Sequence, residues 1–231
     1  MKVFAISDLH LSINNPKPMD IFGPVWDNYL NDIEKDWNDK VTDEDIVLIS
    51  GDISWAMKFE EAKPDLNYIC KLKGYKIIIK GNHDYWWNSI SEIRSFLTNN
   101  TYALQNDAIK IGNTIICGSR GWVIPEGQFK TEQDEKIYRR ELIRMELSLK
   151  SMEALRCDGD RVVVMTHFPP FNYNMDKNEM IALFEKYKVN SVVFGHLHSY
   201  DKKQKLKFFK NNINYYLTSC DLVDNTLIEI I

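Results

Sequence analysis

Five short apolar runs in this chain each hand over, within a few residues, to a histidine, an aspartate or both. Val3-Phe4-Ala5-Ile6 precedes Asp8 and His10, Ile46-Val47-Leu48-Ile49 precedes Asp52, and Tyr75-Lys76-Ile77-Ile78-Ile79-Lys80 precedes Gly81-Asn82-His83-Asp84. Val162-Val163-Val164-Met165 precedes His167, and Val192-Val193-Phe194 precedes His196 and His198. β-Branched runs of this length, bounded by glycine and polar residues, read as buried strands. Open α/β sheets place their chemistry at the carboxyl ends of such strands. The pattern therefore predicts five strands aiming ligand-type side chains at one edge.

The residues between these runs predict helices and a hairpin. After the proline-rich loop Ile13 to Pro24, Trp26, Tyr29, Leu30, Ile33 and Trp37 recur at helical spacing. Phe59, Ala62, Leu66, Ile69 and Cys70 predict a helix with Pro64 in its first turn. A short helix is expected near Ser89 to Leu97. Residues 107–117 alternate around a Gly112-Asn113 turn and read as a hairpin, followed by an irregular loop, Gly118 to Phe129, that carries Arg120. Thr131 can cap a long helix to about Leu155, with Tyr138, Leu142, Met145, Leu149 and Met152 as the stripe facing a sheet. Beyond His167, Phe168-Pro169-Pro170 forces the chain out of regular structure, and a helix is expected over Asn178 to Lys188. Leu206 to Phe209, Ile213 to Leu217 and Leu227 to Ile231 read as antiparallel strands closing a second sheet.

No linker-like segment divides the 231 residues, so one domain over 1–231 is expected. A balance of 29 basic against 33 acidic residues argues against a protein built to hold duplex nucleic acid or a membrane surface. Small phosphorylated substrates are compatible with it. Cys70, Cys117, Cys157 and Cys220 lack metal-type spacing and read as reduced thiols. No apolar run approaches the roughly 18 residues a membrane span needs, and the amino terminus leads straight into a strand. A cytoplasmic monomer or weak homo-oligomer is the expectation.

All five histidines of the chain fall in these strand-end clusters. With Asp8, Asp52 and Asn82 they offer mixed nitrogen and oxygen donors, enough for two divalent metals sharing a carboxylate. Such shells suit Mn, Fe, Zn, Co or Ni better than Mg or Ca. Two metals can activate a bridging water and clamp the attacking and leaving oxygens of an in-line displacement at phosphorus. No Gly-x-Ser-x-Gly elbow or phosphate-loop glycine motif competes for the role.

Asp8-Leu9-His10, Gly51-Asp52, Gly81-Asn82-His83-Asp84, His167 and Gly195-His196-Leu197-His198 together resemble the calcineurin-like metallophosphoesterases in number, order and strand placement. The resemblance implies a four-layer α/β sandwich, two mixed β-sheets back to back flanked by helices, with metals at the strand carboxyl edge. It implies that Asp8, His10 and His198 hold one metal and that Asn82, His167 and His196 hold the other, with Asp52 bridging. His83 is implied to act on the substrate and Asp84 to orient it and raise its pKa. Where the protein serine/threonine phosphatases carry Asp-Arg-Gly, this chain has Trp55-Ala56-Met57. Its motifs look more like a bacterial group of predicted phosphohydrolases.

The implied activity is hydrolysis of a phosphate ester by a metal-bridging hydroxide, leaning to a phosphodiester or nucleotide-like substrate. Nucleic acid enters only as a substrate. A phosphomonoesterase of small metabolites is the alternative; Arg120 could then clamp the dianion or simply form a structural ion pair. Trp86 and Trp87 could stack a nucleobase or belong to the core. A non-catalytic nucleic-acid-binding module, with Trp55, Tyr85, Trp86, Trp87 and Trp122 as platforms, is a further alternative, but the chain is net acidic. The basic group Lys202, Lys203, Lys205, Lys207 and Lys210 reads as a solvated hairpin.

Overall fold

The first strand, β1 (Val3–Ile6), shows why two sheets form. Its four residues are buried, and side chains alternate across a strand, so Val3 and Ala5 share one core with other strands while Phe4 and Ile6 face helices. The same holds for β2 (Ile46–Ile49) and β3 (Tyr75–Ile78), which follow β1 in parallel register. A strand covered on both faces has no use for polar alternation, which is why these segments read as continuous apolar runs. Lys76 is the exception in β3. Its buried ammonium donates to the carbonyls of Leu72 (2.7 Å), Gly74 (2.9 Å) and Asn99 (2.7 Å), closing the carboxyl end of the preceding helix.

The computed structural model describes residues 1–126, 130–172, 174–198 and 206–231. The first sheet is completed by β4 (Thr101–Ala103), parallel to β3, and by β11 (Ile228–Glu229), antiparallel to β1. The second sheet runs β5 (Ala108–Ile111), β6 (Thr114–Gly118), β7 (Arg161–Met165), β8 (Ser191–Phe194), β10 (Ile213–Leu217), β9 (Lys207–Lys210). Strands β6, β7, β8 and β10 are parallel, and the edge strands β5 and β9 are antiparallel to their neighbours. Val3, Ala5, Ile46, Leu48 and Ile77 from one sheet meet Ile116, Val163, Met165, Val193 and Tyr216 from the other. The sheets therefore lie back to back.

Helices cover both outer faces. α1 (Tyr29–Lys40), α2 (Phe59–Lys71) and α3 (Ile90–Phe96) pack Ile33, Trp37, Leu66, Ile69 and Ile93 on the first sheet. α4 (Glu132–Leu155) and α5 (Glu179–Lys186) pack Met145, Leu149, Met152, Ile181 and Phe184 on the second. The result is the four-layer sandwich that the sequence implies. Thr131 caps α4, its Oγ1 accepting the Asp134 N–H at 3.0 Å, and the stripe from Tyr138 to Met152 faces the sheet as expected. The Gly112-Asn113 hairpin is also as expected.

Two expectations are corrected. The tail does not close the second sheet with three antiparallel strands. β10 lies parallel to β8, because the chain crosses from β8 back to start beside it, and β11 leaves for the first sheet. Pro64 falls in the second turn of α2, since the helix starts at Phe59. The N–H it lacks would have bonded the carbonyl of Glu60, an exposed residue whose oxygen can turn to water. Of the lysine-rich hairpin, Lys202, Lys203 and Lys205 lie outside the described residues, as does the end of the loop at Phe129. The cysteines carry no disulfide, with Cys70, Cys117 and Cys220 buried and Cys157 exposed.

Candidate metal centre

The carboxyl ends of β1, β2 and β3 meet those of β7 and β8 where the two sheets are stitched together. Ser7 donates its N–H to Thr218 O at 2.7 Å, and Cys220 donates back to Ser7 O at 3.0 Å. Asp8, His10, Asp52 and His196 all have positive φ, between 46° and 72°. Non-glycine residues there are strained, and such strain persists only where surrounding bonds over-determine it. Here the bonds are Asp8 N to Gly51 O and His10 N to Asp52 O, both 3.0 Å. Gly81 and Gly195 are needed for a different reason. A Cβ on Gly81 would fall on the amide and carboxylate of Asp52, and one on Gly195 on the carboxylate of Asp8.

These turns bring the predicted donors together. His10 Nε2 lies 3.4 Å from His198 Nε2, and His198 Nε2 lies 3.7 Å from Asp8 Oδ1, forming one group. Asn82 Oδ1 lies 2.6 Å from His167 Nε2 and 2.8 Å from His196 Nδ1, forming the other. Asp52 stands between them, with Oδ2 3.5 Å from His167 Nε2 and 4.0 Å from His10 Nε2. Asp8 also comes within 4.0 Å of His167, but at Nδ1, which donates its proton to Ser50 O at 2.9 Å. Asp52 thus faces a histidine of each group, and Asp8 is common to both candidate donor clusters.

The hydrogen-bond arithmetic tests whether cations fit. With its proton committed at Nδ1, His167 turns a lone pair at Nε2 toward Asn82 Oδ1 and Asp52 Oδ2, which are acceptors as well. Without a cation the cluster depends on the proton that Asp52 keeps; once Asp52 is ionised three acceptors converge, and a divalent cation satisfies all three in place of that proton. The titration behaviour agrees. Burial, then the neighbouring imidazoles, pushes His10 down to about 3 and His196 to about 4, and holds His167 well below its ordinary value. The imidazoles are thus neutral and have free lone pairs at neutral pH. Burial, then the charges of Asp84 and Asp8, raises Asp52 to about 9, and burial raises Asp8 to about 6. Carboxylates so reluctant to ionise alone are ones that a cation stabilises.

The expected pairing of Asp84 with His83 is corrected. Asp84 is fully buried, and its carboxylate accepts the N–H groups of Ile53 (2.9 Å), Ser54 (3.1 Å) and Gly81 (2.7 Å) and the indole of Trp86 (3.0 Å). It ties the turn after β2 to the turn after β3. His83 stays outside both donor groups. Its ring sits beside Trp55 (centroids 4.8 Å apart) and Tyr85 (6.2 Å), and its backbone N–H donates to Asp52 Oδ1 at 2.8 Å. Burial, then the charge of His198, lowers its pKa instead of raising it.

Trp86 and Trp87 are buried, so neither is a platform for a base. Trp55 remains half-buried, stacked on His10 at 4.6 Å, and Trp122 packs on Phe168. Arg120 lies over Trp122, 4.8 Å from the ring centre, with Nη2 3.9 Å from the buried carboxylate of Glu141. The sequence reading missed Ser7, whose hydroxyl donates to Asp8 Oδ2 at 2.5 Å, and Asp221, 3.1 Å from His198 Nδ1. Asp221 follows Tyr215-Tyr216-Leu217 as the other ligands follow their strands, so the same signal was present.

Among the described residues, no helix is long and apolar enough to cross a membrane. The calcineurin-like phosphoesterase family model matches residues 1–200. No curated protein matches the chain. Its fold is similar to that of a protein of unknown function from Aquifex aeolicus, at 16% identity over 99% of this chain and 95% of that one, TM-score 0.51. It is also similar to that of a Thermus thermophilus protein, at 12% identity over 99% and 97%, TM-score 0.63. These two likenesses show the fold, and the motif set with its family match shows the kinship: the chain belongs to the calcineurin-like phosphoesterase family.

Proposed function

We propose that the protein hydrolyses a phosphate ester with two divalent metal ions, and that its substrate is a phosphodiester or nucleotide-like compound. The observation that carries the reading is the convergence of Asn82 Oδ1, His167 Nε2 and Asp52 Oδ2 on one point, with Asp52 also facing His10. Asp8, His10 and His198 would hold one ion, Asn82, His167 and His196 the other, and Asp52 both. When bound, the pair would supply water activation and neutralise charge at phosphorus. The chain's own part is to fix the donors, hold the His10 ring between Trp55 and Trp26, and place His83 at the leaving oxygen. His83 is neutral in the free protein, and the negative charge of a bound phosphoryl group raises its pKa so that it can donate a proton.

Arg120 does not decide between diester and monoester: its guanidinium stacks on Trp122 with Nη2 3.9 Å from Glu141, whose Oε1 already accepts from Arg144 at 2.6 Å, and its Nε has no partner among the described residues. Exposed Tyr85 and half-buried Trp55 flank His83 and can receive a planar group. The test is turnover of bis-nitrophenyl phosphate against nitrophenyl phosphate with Mn²⁺, before and after chelation. Metal-dependent turnover favouring the diester is expected; a preference for the monoester would reverse the substrate assignment, and no turnover of either with any of the five metals would oppose the function.

A further inference from the structure

Of the five histidines, His198 has the least support from its own element. It is the last of its cluster, its side chain is 38% exposed, and its ring lies beside those of His10 and Trp26. His167, by contrast, is buried and pinned by the Ser50 carbonyl. The partner that His198 does have comes from far along the chain. Asp221 Oδ1 lies 3.1 Å from Nδ1, and its side chain is only 7% exposed, so the carboxylate is itself held in place.

The segment that carries Asp221 is anchored to both sheets. Thr218 donates its N–H to Phe194 O at the end of β8 (2.8 Å), Ser7 donates to Thr218 O, and Cys220 donates its N–H to Ser7 O and its thiol to Asp8 O (3.1 Å). Thr218 and Cys220 thus join the strand that delivers Asp8 to the strand that delivers His198. The segment lies beyond residues 1–200, which the family model matches.

The geometry points to Asp221 as the positioning residue of His198: it holds the proton at Nδ1 and turns the Nε2 lone pair toward His10 and Asp8. A ligating imidazole works through one nitrogen, and a carboxylate on the other fixes both its tautomer and its direction. The distances fit that division, since Nδ1 faces Asp221 while Nε2 lies 3.4 Å from His10 Nε2 and 3.7 Å from Asp8 Oδ1. The inference rests on reading Asp8, His10 and His198 as a metal group.

Two readouts on the full chain test it. In the metal-free protein, isotope-labelled histidine and long-range proton–nitrogen correlations report which ring nitrogen of His198 carries the proton, with His198→Asn supplying the assignment. Measured at alkaline pH, where the ring is neutral and carries a single proton, wild type is expected to show Nδ1–H, and Asp221→Ala to lose that signature. In Mn²⁺ titrations against a competing chelator, Asp221→Ala is expected to weaken one of two sites by about 10- to 100-fold and leave the other unchanged. Asp221→Asn, which keeps the shape and an acceptor oxygen but not the charge, should fall between and carries the test if the alanine variant does not fold. An unchanged tautomer together with wild-type affinity at both sites would overturn the assignment. Absence of Mn²⁺ binding by wild type would count against the metal reading alone, because the tautomer is measured without metal.

Discussion

His83 and Asp84 are neighbours in sequence, yet they do different work. β3 ends at Ile78, and the irregular turn that follows lets the two side chains diverge: Asp84 lies inside among backbone N–H groups, and His83 is half-buried beside Trp55 and Tyr85. His83→Asn should therefore retain bound metal and lose on the order of 10² to 10⁴ in rate on an alkyl or nucleoside ester, where the leaving oxygen needs a proton. A nitrophenyl ester should lose much less, because nitrophenolate leaves without help. Loss of metal from this variant, measured by elemental analysis, would make His83 a ligand. At this scale the sequence disclosed donor types and their order, since strand-end position is encoded locally. It did not disclose which way a ring faces: Trp86 and Trp87 are as close to the motif as Tyr85, and only the packing of α2 and α3 decides that the tryptophans go inward.

Elements place the site through close approach of turns, and Gly81 is the tightest of these. Gly81→Ala would push a methyl group into the Asp52 carboxylate and backbone, both buried and unable to retreat. The variant is expected to fold less stably and to lose metal, with a fall in Tm and in metal content measured together. Full metal content at the wild-type Tm would mean that the turn after β3 has room that the structure denies it. The strands and most helices were legible because their patterns are short-range: apolar runs, the Thr131 cap, the Gly112-Asn113 turn. The tail was not, because whether β10 pairs parallel or antiparallel depends on where β8 lies, and this is a long-range fact. That same misreading hid Asp221, which a parallel β10 would have exposed as the acidic residue at the end of a sixth such strand.

Across the whole molecule, the buried carboxylates couple stability to pH. Asp52, raised to about 9 from 3.8 by burial first and neighbouring carboxylates second, keeps a proton in the folded metal-free protein that the unfolded chain has already released. Stability from this group is therefore lost as pH rises toward its folded value. His198 acts in the same sense: burial alone would lower its pKa, but the Asp221 hydrogen bond and the Asp8 charge raise it overall. Above about pH 6.5, His10, His167 and His196 are neutral in both states and drop out. The chelated protein should therefore show a falling Tm from about pH 6.5 to 9, with a shallower fall in Asp52→Asn. Added Mn²⁺ should raise Tm more at the alkaline end, where a cation takes the place of the proton. A flat profile for chelated wild type would contradict the electrostatic account of the site. The central claim is that Asp52 is shared between two metals, and elemental analysis of purified wild type and Asp52→Asn, read beside Mn²⁺-dependent diesterase activity, tests it most directly. Two metals per chain with turnover in wild type, and fewer metals with almost no turnover in the variant, is the predicted result; two metals and intact activity in Asp52→Asn would contradict it.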